Sequence, residues 1–102
     1  MGGEEVICIV ESQTDGTNWY RKYSDGWIEQ GGRITSFEGG KEFTFNTAFS
    51  NTNYTFVGIC NNSKHKVTVL SRTNTAVTIN VGINTVSSNN ETTDLEWYAC
   101  GY

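Results

Sequence analysis

No stretch of this chain repeats its apolar residues at the 3.6-residue spacing of an amphipathic helix. The chain consists instead of short runs rich in Thr, Val, Ile, Phe, Tyr and Trp, cut by Gly, Asn, Asp and Ser. Residues of the first group suit a pleated, half-buried surface, and those of the second supply turns. Alternation is visible inside the runs. Phe43 and Phe45 alternate with Glu42, Thr44 and Asn46, and Val77, Ile79 and Val81 alternate with Thr78 and Asn80. Many short strands of this kind predict an all-β fold, an antiparallel β-sandwich.

The turn residues place the strands. Glu5 to Glu11 reads as the first, followed by a turn or loop over Gln13 to Asn18. Trp19–Tyr23 and Trp27–Gln30 flank Ser24-Asp25-Gly26, and Asp-Gly between aromatic strands signals a hairpin with a type I′ turn. Gly31-Gly32 is expected to bulge or kink the chain before Arg33–Phe37. Gly39-Gly40 marks the next turn. Strands then follow over Glu42–Asn46, Tyr54–Cys60, Val67–Leu70, Ala76–Val81 and Leu95–Tyr102. Ala48 and Phe49 are expected to return to the core. Tyr54–Cys60 is apolar on both faces and is expected to be a central strand.

The 102 residues are the size of one domain, spanning 1–102, with residues 1–4 reading as a tag remnant or a disordered start. With 36% hydrophobic residues there is material for a core, yet a chain this short gains from oligomerisation. Net charge is −4, and the seven basic residues are scattered, so no stripe is present to track nucleic acid. The longest apolar run, Val6–Val10, is too short for membrane insertion by a helix, and Met1 to Glu5 has no basic signal-peptide start.

Cys8, Cys60 and Cys100 are odd in number and widely spaced. They read as small buried hydrophobes made in a reducing cytoplasm, with one disulfide as the alternative. His65 is the single histidine, and it lies between Lys64 and Lys66 in a polar stretch. The sequence shows no partner beside it for a triad or a metal site, so it reads as a surface residue or a ligand contact in a loop. A glycosidase needs two carboxyls held across a cleft. Asp25 in a turn, Glu29 on a strand and Glu91, Asp94 and Glu96 crowded in one loop do not point to such a pair. The Asn89-Asn90-Glu91 and Asp94-Leu95-Glu96 oxygens show no EF-hand-like spacing for calcium. The paired glycines lack the strand-to-helix context of a phosphate cradle. No catalytic residue, metal or cofactor is assigned, and the chain is read as a non-enzyme.

Three stretches form a recognisable set. They are Trp19-Tyr-Arg-Lys-Tyr-Ser-Asp-Gly-Trp-Ile-Glu-Gln-Gly-Gly32; Phe43-Thr-Phe45, Ala48-Phe49 and Thr52-Asn-Tyr54; and Glu96-Trp-Tyr-Ala-Cys-Gly-Tyr102. Together they resemble the C-terminal domain of phage and prophage tail-fibre proteins. That resemblance covers about Trp19 to Tyr102, with Asn61 to Asp94 matching only in general pattern. It departs at Thr47-Ala48, where such tips often carry a proline. It implies an H-type-lectin-like sandwich, a homotrimer on the fibre axis, and binding to a bacterial surface glycan or protein. It also implies a virion component, the tail-fibre tip, made in the host cytoplasm. The alternative is a trimerisation or capping domain with no binding activity of its own.

Strand parity suggests where a binding surface lies. If the strands from Arg33 onward alternate in direction, the turns at Gly39-Gly40, Asn61–Lys66 and Gly82–Asp94 share one end. The turns at Thr47–Asn53 and Ser71–Thr75 share the other with the C-terminus. Asn61, Asn62, Lys64, His65, Asn89, Asn90 and Glu91 are therefore the candidate ligand contacts. Trp19, Tyr20, Trp27, Trp97 and Tyr98 are read as packing or subunit-interface aromatics.

Overall fold

The computed structural model describes residues 6–60, 65–83 and 92–102. They form eight strands: β1 (Ile9–Asp15), β2 (Asn18–Tyr23), β3 (Ile28–Glu38), β4 (Lys41–Thr44), β5 (Thr55–Cys60), β6 (His65–Arg72), β7 (Ala76–Ile83) and β8 (Thr92–Gly101). Every strand pair is antiparallel. One sheet has the order β1-β2-β3-β8-β5, and the second has the order β4-β7-β6. The all-β sandwich read from the sequence is the observed architecture.

Glycine fixes the two opening hairpins. Gly16, at φ 65°, takes the first turn position between Asp15 and Asn18, the place a type II′ turn reserves for glycine. The first strand therefore runs on to Asp15 rather than stopping at Glu11. In the second hairpin Gly26 alone has positive φ, at 94°, and its amide donates to the Tyr23 carbonyl. A type I′ turn would need Asp25 at positive φ as well. The observed turn is the three-residue form, with glycine in the left-handed position and Asp25 Oδ1 accepting from the Trp27 amide.

Gly31-Gly32 does not kink the chain, because β3 passes through it unbroken. These glycines permit close approach instead. A Cβ on Gly31 would sit 2.7 Å from the Trp97 carbonyl oxygen, and one on Gly32 would sit 2.1 Å from Asn18 Oδ1. The irregularity falls four residues later, between Ile34 and Phe37. There Ser36 has φ 56°, and its amide is held by Asp94 Oδ1 at 3.0 Å.

The core lies between the sheets. Strand β8 contributes Leu95, Trp97 and Ala99 from one face, and β7 contributes Val77, Ile79 and Val81. Phe43 and Phe45 sit between them. Phe43 meets Trp97 at 5.0 Å between ring centroids, and Phe45 meets Tyr54 at 5.0 Å, both near edge-on. Phe49 is buried and stacks on Tyr54, but Ala48 is exposed. The connection after β4 turns only one of that pair inward. Strand β5 is an edge strand, not a central one, because the closing strand β8 inserts between it and β3. Its second apolar face, Val57 and Ile59, is left exposed. Cys60 and Cys100 are half-buried, Cys8 is exposed, and all three are free thiols, so three buried hydrophobes overstates their burial.

One buried polar residue ties the layers together. Gln30 is fully buried, and its side-chain amide donates to the Thr47 carbonyl at 2.9 Å while its oxygen accepts the Thr47 amide at 3.1 Å. Asn46 adds a second tie, donating to the carbonyls of Trp19 and Gly31. Replacing Gln30 with Leu keeps the volume but leaves the Thr47 amide and carbonyl without partners. We expect a loss of about 2–4 kcal/mol, read as a lower urea midpoint at unchanged slope. Gly31→Ala drives a methyl into backbone and should cost about 1–3 kcal/mol in the same assay.

Candidate functional site

The strand ends separate two poles. At one, the Phe49 amide donates to the Asn74 carbonyl, the Ser50 amide to the Tyr102 carbonyl, and the Tyr54 hydroxyl to the Thr73 carbonyl. The turns after β4 and β6 thus meet the C-terminus, as parity requires. At the other pole lie the Gly39-Gly40 turn, the ends of β5 and β7, and the starts of β6 and β8. The candidate contacts Asn61, Asn62, Lys64, Asn89, Asn90 and Glu91 fall outside the described residues. His65 opens β6 with its main chain opposite Ile83.

The five singled-out aromatics occupy three surroundings. Trp97 is in the core, 6% exposed, and its indole Nε1 is buried with no hydrogen-bond partner among the described residues. Trp19, Trp27 and Tyr98 lie on the outer face of the larger sheet. Strand register lines up Trp19, Gly31, Tyr98 and Val57 across four strands. With no side chain on Gly31, the Trp19 indole settles onto β3, 6.1 Å from the Tyr98 ring, with the Arg21 guanidinium 4.9 Å from its centroid. Trp27 meets Tyr102 edge-on at 5.1 Å. Tyr20 points to the opposite face of β2, where its hydroxyl donates to Glu11 and Lys22 approaches its ring.

Glu29 organises the outer face. It accepts from the Tyr23 hydroxyl at 2.9 Å and from Trp27 Nε1 at 3.4 Å. Partial burial and the nearby Glu29 carboxylate push the Tyr98 phenol up to about 12. Of the other carboxylates considered, Asp25 holds its own turn, Asp94 holds Ser36, and Glu96 pairs with Arg33 at 2.9 Å. No three His, Cys, Asp or Glu side chains cluster to hold a metal among the described residues. No helix long and apolar enough to cross a membrane is present among them.

Two surface features escaped the sequence reading. One is the exposure of Val57 and Ile59 beside Tyr98, which depends on β5 becoming an edge. The other is a cleft lined by Gln13, Asp15, Asn18, Tyr20 and Asn46, bordered by Trp19. These residues come together only through β1–β2 register and the folding back of the chain after β4.

Tyr98 offers a direct check on the outer face. Its raised pKa means that folding opposes its ionisation. Stability tied to it is present below about pH 10, the ordinary phenol value, and is lost as pH rises through about 12. In an ultraviolet phenolate titration Tyr98→Phe should remove a step near pH 12.

Comparison with known proteins matches this architecture. The family model "tail fiber protein gp53-like, C-terminal" matches residues 22–102. No curated protein sequence matches the chain. Among solved structures, an N-truncated R2-type pyocin tail fibre aligns with TM-score 0.68 at 18% identity, over 99% of this chain and 39% of that one. An N-truncated R1-type pyocin tail fibre aligns with TM-score 0.64 at 19% identity, over 99% of this chain and 89% of that one. A C-terminal portion of the P. aeruginosa R1 pyocin fibre aligns with TM-score 0.63 at 20% identity, over 91% of this chain and 28% of that one. The chain thus spans well under half of the R2-type fibre structure, and the shared property is the fold. By the family match, this chain belongs to the gp53-like tail-fibre proteins and is their C-terminal domain.

Proposed function

We propose that the domain is a receptor-recognition tip of a phage-type tail fibre, acting as a homotrimer that binds a bacterial surface glycan or protein. On this reading it is a non-enzymatic component of the virion and an H-type-lectin-like sandwich. The observation that carries the assembly half is the placement of exposed apolar residues at both edges of the larger sheet. Val6, Ile7, Ile9 and Val10 are exposed at the β1 edge, and Val57, Ile59 and Tyr98 at the β5 edge. Among the described residues, both strands also have a backbone edge that pairs with no other strand.

Two different patches on opposite edges favour a heterologous, ring-closing contact. A twofold dimer would pair one patch with itself. The radius of gyration, 15.6 Å, exceeds the about 13 Å of a compact chain this long, so the domain is elongated and has more surface for its size. Recognition is supported by membership in a tail-fibre family. Weak single sites would be multiplied by three subunits and by several fibres. A capping domain without binding activity is the competing reading.

Light scattering on the purified domain should give three times the 11.3 kDa chain mass. Val57→Asp combined with Ile59→Asp should shift it toward monomer. A labelled trimer should adhere to some members of a panel of bacterial strains. A stable trimer that adheres to none would favour the capping reading.

A further inference from the structure

We propose that the cleft between the β1–β2 hairpin and the chain leaving β4 is a binding site for one neutral saccharide unit. This rests on the recognition reading above and moves the contact from the strand-end loops to the flank of the sheet. The cleft has a volume of about 200 Å³ and is open on one side. That is smaller than the about 300–1,000 Å³ of pockets for drug-sized molecules, so it admits a single ring or chain end.

Its lining is chemically selective. Gln13, Asp15 and Asn18 make no side-chain hydrogen bond among the described residues and are free to engage a ligand. Each is a planar group with paired polar atoms, matching the spacing of neighbouring hydroxyls on a pyranose. Asn46 spends its amide nitrogen on the Trp19 and Gly31 carbonyls, which fixes its remaining oxygen in the wall. Tyr20 supplies an aromatic wall for ring C–H groups, and its hydroxyl is anchored by Glu11.

The lining holds one carboxylate and no cation. Lys22, which approaches the Tyr20 ring, is paired with Glu11. A phosphate or carboxylate ligand would therefore meet Asp15 without a free counter-charge in the lining, whereas a neutral polyol gains a charge-assisted acceptor in Asp15. The wall is set before any ligand arrives, since Asn18 lies against the bare Gly32 and Asn46 is doubly bonded. Preorganisation of this kind lowers the cost of binding. The cleft is lined from the Gln13–Asp15 end of β1, whereas the exposed apolar run ends at Val10.

Saturation-transfer NMR on the full chain tests this with glucose, galactose, mannose, rhamnose, N-acetylglucosamine and N-acetylgalactosamine. At least one should bind with Kd on the order of 1 mM. Gln13→Ala and Asp15→Ala should each weaken it about tenfold. Both residues are exposed, so melting temperature and assembly mass should stay unchanged. Absence of binding across the panel, or binding that both substitutions leave intact, overturns the proposal. A strain-adhesion assay separates the two readings. Adhesion equal in wild type and double variant rejects the cleft but keeps recognition. Variant-sensitive saccharide binding without adhesion keeps the cleft and rejects recognition of those cells.

Discussion

The two sheets are held together by the wedge of Phe43 and Phe45 against Trp97. Strand β4 is only four residues long, yet it delivers Phe43, and Phe45 follows at once, into the gap between β8 and β7. Phe43 touches Phe37, Phe56 and Trp97, and Phe45 touches Phe49, Tyr54 and Trp97. Those rings come from the larger sheet and from the connection after β4, whereas Phe43 itself belongs to the smaller sheet. Removing either wedge would uncouple the layers rather than open one local cavity.

Trp97 in turn constrains β3. Its carbonyl lies where a side chain on Gly31 would sit, so the central pairing of β3 with β8 brings the backbones together at a glycine. That bare strip has opposite consequences on the two faces. Inward, it lets Gln30 and Asn46 pin the chain after β4 to β3 and β2. Outward, it seats the Trp19 indole in line with Tyr98 and Val57. One pair of glycines thereby supports both the closing of the core and an aromatic strip on the surface. Assembly, assigned to the apolar edges, and ligand contact, assigned to the polar flank of β1–β2, use separate parts of the same sheet.

Much of this was legible along the chain. Alternation at Phe43–Asn46 and Val77–Val81 gave the fold class and the inward faces, because side chains on a strand point to opposite sides in turn. Glycines marked the two opening hairpins and the Gly39-Gly40 turn, because positive φ is cheap only there. Parity correctly gathered the turns after β4 and β6 beside the C-terminus. Reading Gly31-Gly32 as a kink failed because glycine serves two ends, flexibility and closeness, and sequence cannot separate them. Reading β5 as central failed because its outward Val57 and Ile59 resemble a buried face until a neighbouring sheet is found to be missing.

The sequence by itself determined an antiparallel β protein, through local periodicity and turn chemistry. It also determined the likeness to tail-fibre domains, through the stretches Trp19–Gly32, Phe43–Tyr54 and Glu96–Tyr102, since all of these are properties of neighbouring residues. Tertiary structure alone decided which strand became an edge, which aromatics stayed outside, and that Gln13, Asp15, Asn18 and Asn46 would share a cleft. Those outcomes depend on pairing between residues far apart in the chain. Nothing in the chemistry of β5 announces that β8 will insert beside it, and nothing near Asn46 announces that its amide will reach back to Trp19 and Gly31.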